Sequence, residues 1–495
     1  MLRAVLWMHR LVERAFVRRS LSVALVLCAI PVLLHVAIRL GTRVESPAVV
    51  LPSPASVHAW TRVQAGLREM YVEGSPEAIG ASQARLLRPQ MIDVENQLFR
   101  DFAHYVPVSL ARLAIEDLSR LRYRNVDRGI PEPRRREIAA QAQTFQPDPF
   151  EGHLPTYHRM VFLHALYDIA LSVEHSPLIG CTSIAIDRGH TADGHALVAR
   201  AFDFEAGDVF DRDKVVFLVR EDGAIPFASV AWAGLVGVVT GMNAEGVFLD
   251  LQGARGGQPA TEGIPVVLST REALSRAHDT AEAVAILRAQ PVLVSHVVFV
   301  ADAAGHFAVV ERAPGVPAFV RDTTDSMALT NHFEGPLASD PKNVRVRERT
   351  STVARRRRAD ELIARVAPHS ARPEDVLAIL RDHRCVGDDG TSPAPPEPGR
   401  NPDGTSPAPP ERGRNGVACP LGDRRAIDAF IATHGVVGDT TARVLWVSAG
   451  PHLSGPFVRL DLRTLLAPNH DPATDPEPET MPADAVVPMP SADAR

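Results

Sequence analysis

At residue 181 the spacing of apolar positions along the chain changes from three and four to two, and the chain divides there. Between about 57 and 174 apolar residues recur at helical intervals. Pro76-Glu77-Ala78-Ile79 opens one helix, with Ser75 as N-cap and Leu86, Leu87, Met91, Val94 and Leu98 along its apolar stripe. Further helices are expected over about 107–122, 132–143 and 157–173. In the last, Met160, Leu163, His164, Tyr167 and Ala170 or Leu171 share a face, so His164 and Tyr167 read as packing residues. Pro177 ends the helical half, because the residue before a proline is driven out of helical geometry.

Past Cys181, CTSIAIDRG, HALVARAFDF, KVVFLVRED, FASVAWAGLVGVVTG and GVFLDLQG read as antiparallel strands separated by Asp-Gly, Gly and Asn-Ala-Glu-Gly turns. Asn243 in the last of these turns is read as a turn residue that tolerates left-handed geometry. A helix follows from about Ser269 to Arg288, then a hairpin turning at Ala304-Gly305, then helices near 343–366 and 373–382. Residues 424–433 are expected to be helical, ahead of strands VLWVSAG and PFVRLDL. Strands with helices segregated around them predict a layered α+β sandwich.

Residues 20–38 form an uncharged apolar run, about 28 Å long as a helix, which matches a bilayer core. Arg3, Arg10, Arg14, Arg18 and Arg19 precede it, so the positive-inside rule predicts a cytoplasmic N-terminus and an extracytoplasmic remainder. A cleaved signal peptide is the competing reading, although the run is long for one. The expected organisation is a basic tail over 1–19, a transmembrane signal anchor over 20–40, a linker over 41–56 and a helical pro-segment over 57–180. A domain over 181–466 follows, with a Pro-rich insertion at 386–418 and a disordered tail from 467 to 495. The insertion holds a tandem repeat, GTSPAPPEPGRN then GTSPAPPERGRN, which has too little apolar surface to order itself. Cys385 and Cys419 flank it, as a disulfide or as two free thiols.

Composition narrows the function classes. A net charge of −6 gives no electrostatic reason to expect nucleic acid as partner. The four cysteines are too few for a disulfide scaffold, and no Cys/His spacing suits a metal, so neither metal nor cofactor is expected. Gly180-Cys181 is the one stretch with evident chemistry. A cysteine after a glycine at the start of a strand can attack the preceding carbonyl, pass through a thioester and, on hydrolysis, gain a free α-amine. Such an amine has a pKa of about 7.7–8.0 and can serve as base for its own thiol. Glycine suits the scissile position, lacking a side chain and tolerating strain.

GCTSIAI, DGHALVARAFDF, GLVGVVTGMNAEGV and ALTNHF, in that order, resemble the isopenicillin N acyltransferase-like autoproteolytic cysteine family. That family belongs with the choloylglycine hydrolases, penicillin V acylases and acid ceramidases among the N-terminal-nucleophile hydrolases. The resemblance covers about residues 67–463, and VEGSPEAIGASQARLL is similar to the family's usual opening. It implies a four-layer αββα fold, cleavage between Gly180 and Cys181, and Cys181 as nucleophile with its own α-amine. It further implies that Arg200 favours the thiolate, that Asp203 holds the amine and that the Asn331 amide stabilises the oxyanion. A second oxyanion donor is implied near Gln252 and Gly253. Arg355 best fits a further family arginine after Thr352, with Arg356 and Arg358 as rivals, and His332 has no role in this mechanism. Positions three apart on a strand face opposite sides, so Arg200 and Asp203 can both approach Cys181 only if the strand ends or bends near Phe202.

The expected activity is hydrolysis of a linear amide, or acyl transfer, through a Cys181 thioester, on a small N-acyl substrate or acyl donor. The small and large chains are expected to stay associated after cleavage, with the N-terminal helix in a membrane. One alternative is a lipid-directed amidase or phospholipase B-like hydrolase on the same fold. Another is an unprocessed, membrane-anchored binding module without catalysis.

Overall fold

Two β-sheets lie face to face, with helices packed on their outer sides. The computed structural model describes residues 29–172, 179–204, 207–386 and 417–484, together with Trp7 and Arg18. The strands are β1 Ala59–Gln64, β2 Leu67–Gly74, β3 Ile179–Ile186, β4 Leu197–Phe204, β5 Lys214–Glu221, β6 Phe227–Trp232, β7 Thr240–Asn243, β8 Phe248–Gly253 and β9 His296–Ala301. They continue as β10 Phe307–Ala313, β11 Val316–Thr323, β12 Met327–Leu329, β13 Arg384–Cys385, β14 Val417–Ala418, β15 Ala432–Asp439, β16 Val444–Ser448, β17 Phe457–Asp461 and β18 Thr480–Met481. One sheet has nine strands in the order β1-β2-β5-β6-β7-β8-β9-β10-β11, and the other seven in the order β12-β3-β4-β15-β16-β17-β18.

The strands are apolar on both faces because both faces are covered. Between the sheets, Val216, Leu218, Phe248 and Phe299 pack with Val198, Val436, Leu445 and Val458. On the outer side of the seven-stranded sheet, Ile184, Leu197 and Val437 pack against Ala359, Leu377 and Leu380 of helices Thr352–Ile363 and Pro373–Leu380. Each such side chain contributes about 1.5–3 kcal/mol when fully buried. Helices Pro76–Leu86, Val266–Leu274 and Thr280–Ala289 lie against strands of the nine-stranded sheet.

Several expectations require correction. The membrane anchor is the largest. Its first part, 20–28, lies outside the described residues, and residues 29–41 are helical. The described stretch is about 20 Å long as a helix. Among the described residues no helix is long and apolar enough to cross a membrane. That finding overturns the transmembrane element of the expected fold and the single-pass placement built on it. Residues up to Glu45 together with Phe102–Arg124 form a separate compact unit. Inside it, Arg120 donates to the Arg39 carbonyl at 3.1 Å and to Thr42 Oγ1 at 3.3 Å, and His35 meets Asp117 at 2.8 Å.

The segment expected to be helical from 57 instead opens with a hairpin, β1–β2, turned by Ala65 and Gly66, both at positive φ. Residues 269–288 are broken between Leu274 and Thr280, where Asp279 caps the second helix by accepting from Glu282 N at 2.8 Å. No helix forms over 424–433; turns lead directly into β15. Cys385 and Cys419 are joined as a disulfide, with Cα atoms 5.9 Å apart. The repeat between them lies outside the described residues. The part of the tail from 467 to 484 is tied into the fold: Trp60 Nε1 donates to the His470 carbonyl at 3.0 Å, and β18 pairs with β17; residues 485–495 lie outside the described residues.

Candidate active site

β3 and β4 pair antiparallel, with Gly180 opposite Asp203, Cys181 opposite Phe202 and Ser183 opposite Arg200. Alternation along the strands therefore sends Cys181, Ser183, Arg200 and Phe202 to one face, and Gly180, Thr182 and Asp203 to the other. The opposed facing expected of Arg200 and Asp203 holds, but β4 does not end at Phe202: its register with β3 runs through Phe204, while the neighbouring β15 bulges opposite Phe202 and Asp203. Both charged groups reach Cys181 by another route. Arg200 lies on the thiol's own face, donating to Sγ at 3.3 Å. Asp203 presses against Gly180, where an added Cβ would stand 3.0 Å from Oδ2 of Asp203.

Arg200 is fully buried and its fork is fixed by the Val239 carbonyl at 2.6 Å and by the Leu251 carbonyl. Its guanidinium lies 4.7 Å above the Phe202 ring. On the opposite side, helix Thr352–Ile363 delivers Arg355, which donates to the Cys181 carbonyl at 2.5 Å and to Thr182 Oγ1 at 2.8 Å. Helix phase separates Arg355 from its neighbours. Arg356 pairs with Glu334 and Asp360, Arg358 with Asp382 and Glu361, and Arg357 is exposed.

β12 pairs with β3 through Leu329 and Ser183, and two residues later Asn331 lies beside Cys181. Its Oδ1 accepts from Cys181 N at 2.7 Å and from Arg355 at 2.8 Å, while its Nδ2 donates to the Gly253 carbonyl at 3.0 Å. Gln252 does not turn its amide to the thiol: Nε2 donates to Ser183 Oγ at 2.6 Å and to Asp250 at 3.3 Å. Gly253 contributes a carbonyl to this site through its bond to Asn331.

Burial dominates the electrostatics. It pushes the Cys181 thiol up, with Arg200 opposing. Burial also raises Asp203, opposed by Arg355 and Arg200, and lowers Arg355, opposed by Asp203. The arrangement sets one guanidinium on the Cys181 thiol and a second on the Cys181 carbonyl, with its backbone nitrogen on an amide oxygen and a carboxylate against the residue before it. Such a set can support a thiolate, and it can hold an amine at the Cys181 nitrogen.

Three neighbours have no sequence signature. Asp250 and Ser183 share the thiol's face, bonded to each other at 2.5 Å. Tyr167, on helix Leu166–Ser172, has a buried hydroxyl without a hydrogen-bond partner and lies within electrostatic reach of Cys181, Arg200 and Asp250. A polar residue at Asp250 in the buried FLDLQG run was the one available sign, and nothing in the helical stripe distinguished Tyr167. His164, read alike, does pack: Nδ1 meets the Met160 carbonyl at 2.7 Å and Nε2 accepts from Val236 N at 3.0 Å. His332 is pushed down to about 4 by burial and rests on Thr352 at 3.0 Å. Asn243 holds its own turn, accepting from Glu245 N and Val247 N at 3.0 Å each. The side-chain groups with metal-ligand spacing among the described residues, Asp193–His195–Asp439 and Cys385–Cys419–Asp423, include none of the residues around Cys181.

The family model for acyl-coenzyme A:6-aminopenicillanic acid acyl-transferase matches residues 190–385, less than half of the 495-residue chain. The match begins after Cys181 and takes in Arg200, Asp203, Asn331 and Arg355. No curated protein sequence is significantly similar to the chain. Solved structures that the chain matches include the N-acylethanolamine-hydrolyzing acid amidase ortholog of Caenorhabditis elegans, 13% identical over 53% of this chain and 93% of that one, with a TM-score of 0.34. Penicillin V acylase from Agrobacterium tumefaciens is 17% identical over 59% of this chain and 92% of its own, with a TM-score of 0.32. A mutant conjugated bile acid hydrolase from Clostridium perfringens is 12% identical over 61% and 97%, with a TM-score of 0.35. At these levels the three structures assign no residue role here. Residues 190–385 of this chain belong with the acyl-coenzyme A:6-aminopenicillanic acid acyl-transferase family, the isopenicillin N acyltransferase-like group that its ordered motifs resemble.

Proposed function

We propose that this chain cuts itself between Gly180 and Cys181 and then acts as a cysteine N-terminal-nucleophile amidohydrolase or acyltransferase on linear amides. The observation that carries the reading is the bond from Cys181 N to Asn331 Oδ1 at 2.7 Å, made beside a thiol that receives Arg200 at 3.3 Å. In the first step the thiol adds to the Gly180 carbonyl, the peptide C–N bond breaks, and the acyl group passes to sulfur while the nitrogen takes the proton. Water then cleaves the thioester, leaving a carboxylate on Gly180 and a free amine on Cys181. Once the bond is cut, Gly180 is free to withdraw from Asp203, against which it packs, and that carboxylate can then face the new amine.

In turnover the amine takes the thiol proton and sulfur attacks the substrate carbonyl. The oxyanion draws on the second N–H of Asn331 Nδ2, the first being held by the Gly253 carbonyl. The departing amine recovers the proton, and water or an acceptor amine resolves the thioester. Arg200 supports the negative sulfur, and Arg355 steadies Asn331 and the Cys181 carbonyl. Small N-acyl compounds are the substrate class, in keeping with the acyl-transferase family matched by residues 190–385. The two chains stay together after the cut because β2, upstream of the bond, is hydrogen-bonded to β5, downstream of it.

The test is N-terminal sequencing of the purified protein with a screen of N-acyl amides. The expected result is a long fragment beginning at Cys181, absent from Cys181→Ala. Wild-type protein that stays whole and turns over no N-acyl amide would mark the chain as a binding module without catalysis.

A further inference from the structure

We propose that Asp250 is a positioning residue for Cys181: its carboxylate, held by Ser183 and Gln252, shares the Arg200 guanidinium with the thiol and limits how much thiolate that guanidinium supports. The proposal rests on the reading of Cys181 as nucleophile.

The geometry is closed to bulk solvent. β8 lays Asp250 against the β3 face that carries Cys181 and, two residues on, Ser183. Ser183 Oγ donates to Asp250 Oδ2 at 2.5 Å, and Gln252 Nε2 donates to Ser183 Oγ at 2.6 Å and to Asp250 Oδ1 at 3.3 Å. One guanidinium nitrogen of Arg200 lies 3.6 Å from Asp250 Oδ1, and the other donates to Cys181 Sγ at 3.3 Å. Cys181, Ser183, Arg200, Asp250 and Gln252 are all essentially without solvent exposure. One cation thus faces two groups that can each be anionic, in a place sealed from bulk solvent that would screen a second negative charge. A buried ion needs a counter-charge, and two sites sharing one titrate as a pair. With Asp250 ionised, Arg200 is already neutralised, so the thiol keeps its proton until the α-amine freed by cleavage can accept it.

The other groups facing Cys181 are Asp203 on β4, Arg355 on helix Thr352–Ile363 and the Tyr167 hydroxyl on helix Leu166–Ser172. None of them bonds to Ser183 or Gln252, so a change at Asp250 leaves them in place.

The experiment is an ultraviolet titration of the Cys181 thiolate in the purified full chain, each protein compared with the same protein carrying Cys181→Ala. Asp250→Asn is expected to lower the midpoint by about one pH unit, roughly tenfold more thiolate at a fixed pH below both midpoints. Asp250→Glu, which keeps a carboxylate, is expected to lie nearer the wild type than Asp250→Asn does. Ser183→Ala removes a bond that favours the ionised carboxylate and is expected to shift the midpoint in the same direction as Asp250→Asn, by less. An unmoved or raised midpoint in Asp250→Asn overturns the proposal, as does an Asp250→Glu shift equal to that of Asp250→Asn. If Asp250→Asn does not fold, a raised midpoint in Ser183→Ala is the overturning result. Should the Cys181→Ala chain still turn over substrate, the nucleophile reading fails, while the midpoints still decide the electrostatic one.

Discussion

Replacing Gly180 by alanine asks why a glycine stands before the nucleophile. Its φ lies outside the left-handed region, so this position does not use glycine's conformational freedom. It uses the missing side chain. An alanine Cβ would lie 3.0 Å from Oδ2, 3.3 Å from Cβ and 3.7 Å from Cγ of Asp203, the first two closer than ordinary contact. Asp203 cannot withdraw easily, since β4 is hydrogen-bonded to β3 on one side and β15 on the other. Overpacking of this kind costs about 1–3 kcal/mol. Measured by urea denaturation in a Cys181→Ala background, which keeps the chain whole, Gly180→Ala is expected to lose that amount. The same change beside Asp203→Ala is expected to lose less, with a coupling of about 0.5–3 kcal/mol as for residues in contact. With Cys181 intact, self-cleavage followed by electrophoresis should slow about tenfold for each 1.4 kcal/mol of misplacement carried to the transition state. Equal losses in the two backgrounds, or cleavage at the wild-type rate, would refute the packing argument.

Asn331→Ala is expected to leave folding intact and to lower turnover by about 10²- to 10³-fold, the usual effect of losing one oxyanion donor; unchanged turnover removes Asn331 from the site. Asp168 carries a pH prediction. Burial pushes its carboxyl up to about 8, above the ordinary carboxylate value, while it accepts from Val266 N at 3.1 Å. A raised acid favours the folded state while protonated, so its contribution to stability is greatest at low pH and is lost as pH rises from about 4 toward 8. Urea midpoints at several pH values should therefore fall less steeply with rising pH in Asp168→Asn than in the wild type, and parallel curves would contradict this.

Some of the site is legible in the sequence because strand chemistry is local. Cys181, Arg200, Asp203 and Asn331 stand in motifs whose order is itself informative, and the structure brings all four together. Arg355 could not be separated from Arg356 and Arg358 by composition, since only the rotation of one helix relative to β3 turns it inward. Asp250 and Ser183 were missed because pairing between β8 and the β3 face is a tertiary contact that no local spacing encodes. In the N-terminal region, hydropathy marked a spanning run, while among the described residues no helix is both long and apolar enough to cross a membrane. The β1–β2 hairpin escaped because its turn, Ala65-Gly66, lacks the Asn-Gly or Asp-Gly signal and because helical periodicity begins directly after it.

The parallel register of β2 on β5, from Arg68 opposite Val215 to Gly74 opposite Glu221, has a practical implication for making the protein. A polypeptide begun at Cys181 would leave the flank of β5 bare, a row of unsatisfied amides and carbonyls that invites strands from other molecules. Soluble large fragment should therefore come only from co-production with, or excision from, the upstream piece, which serves as a permanent splint for the sheet.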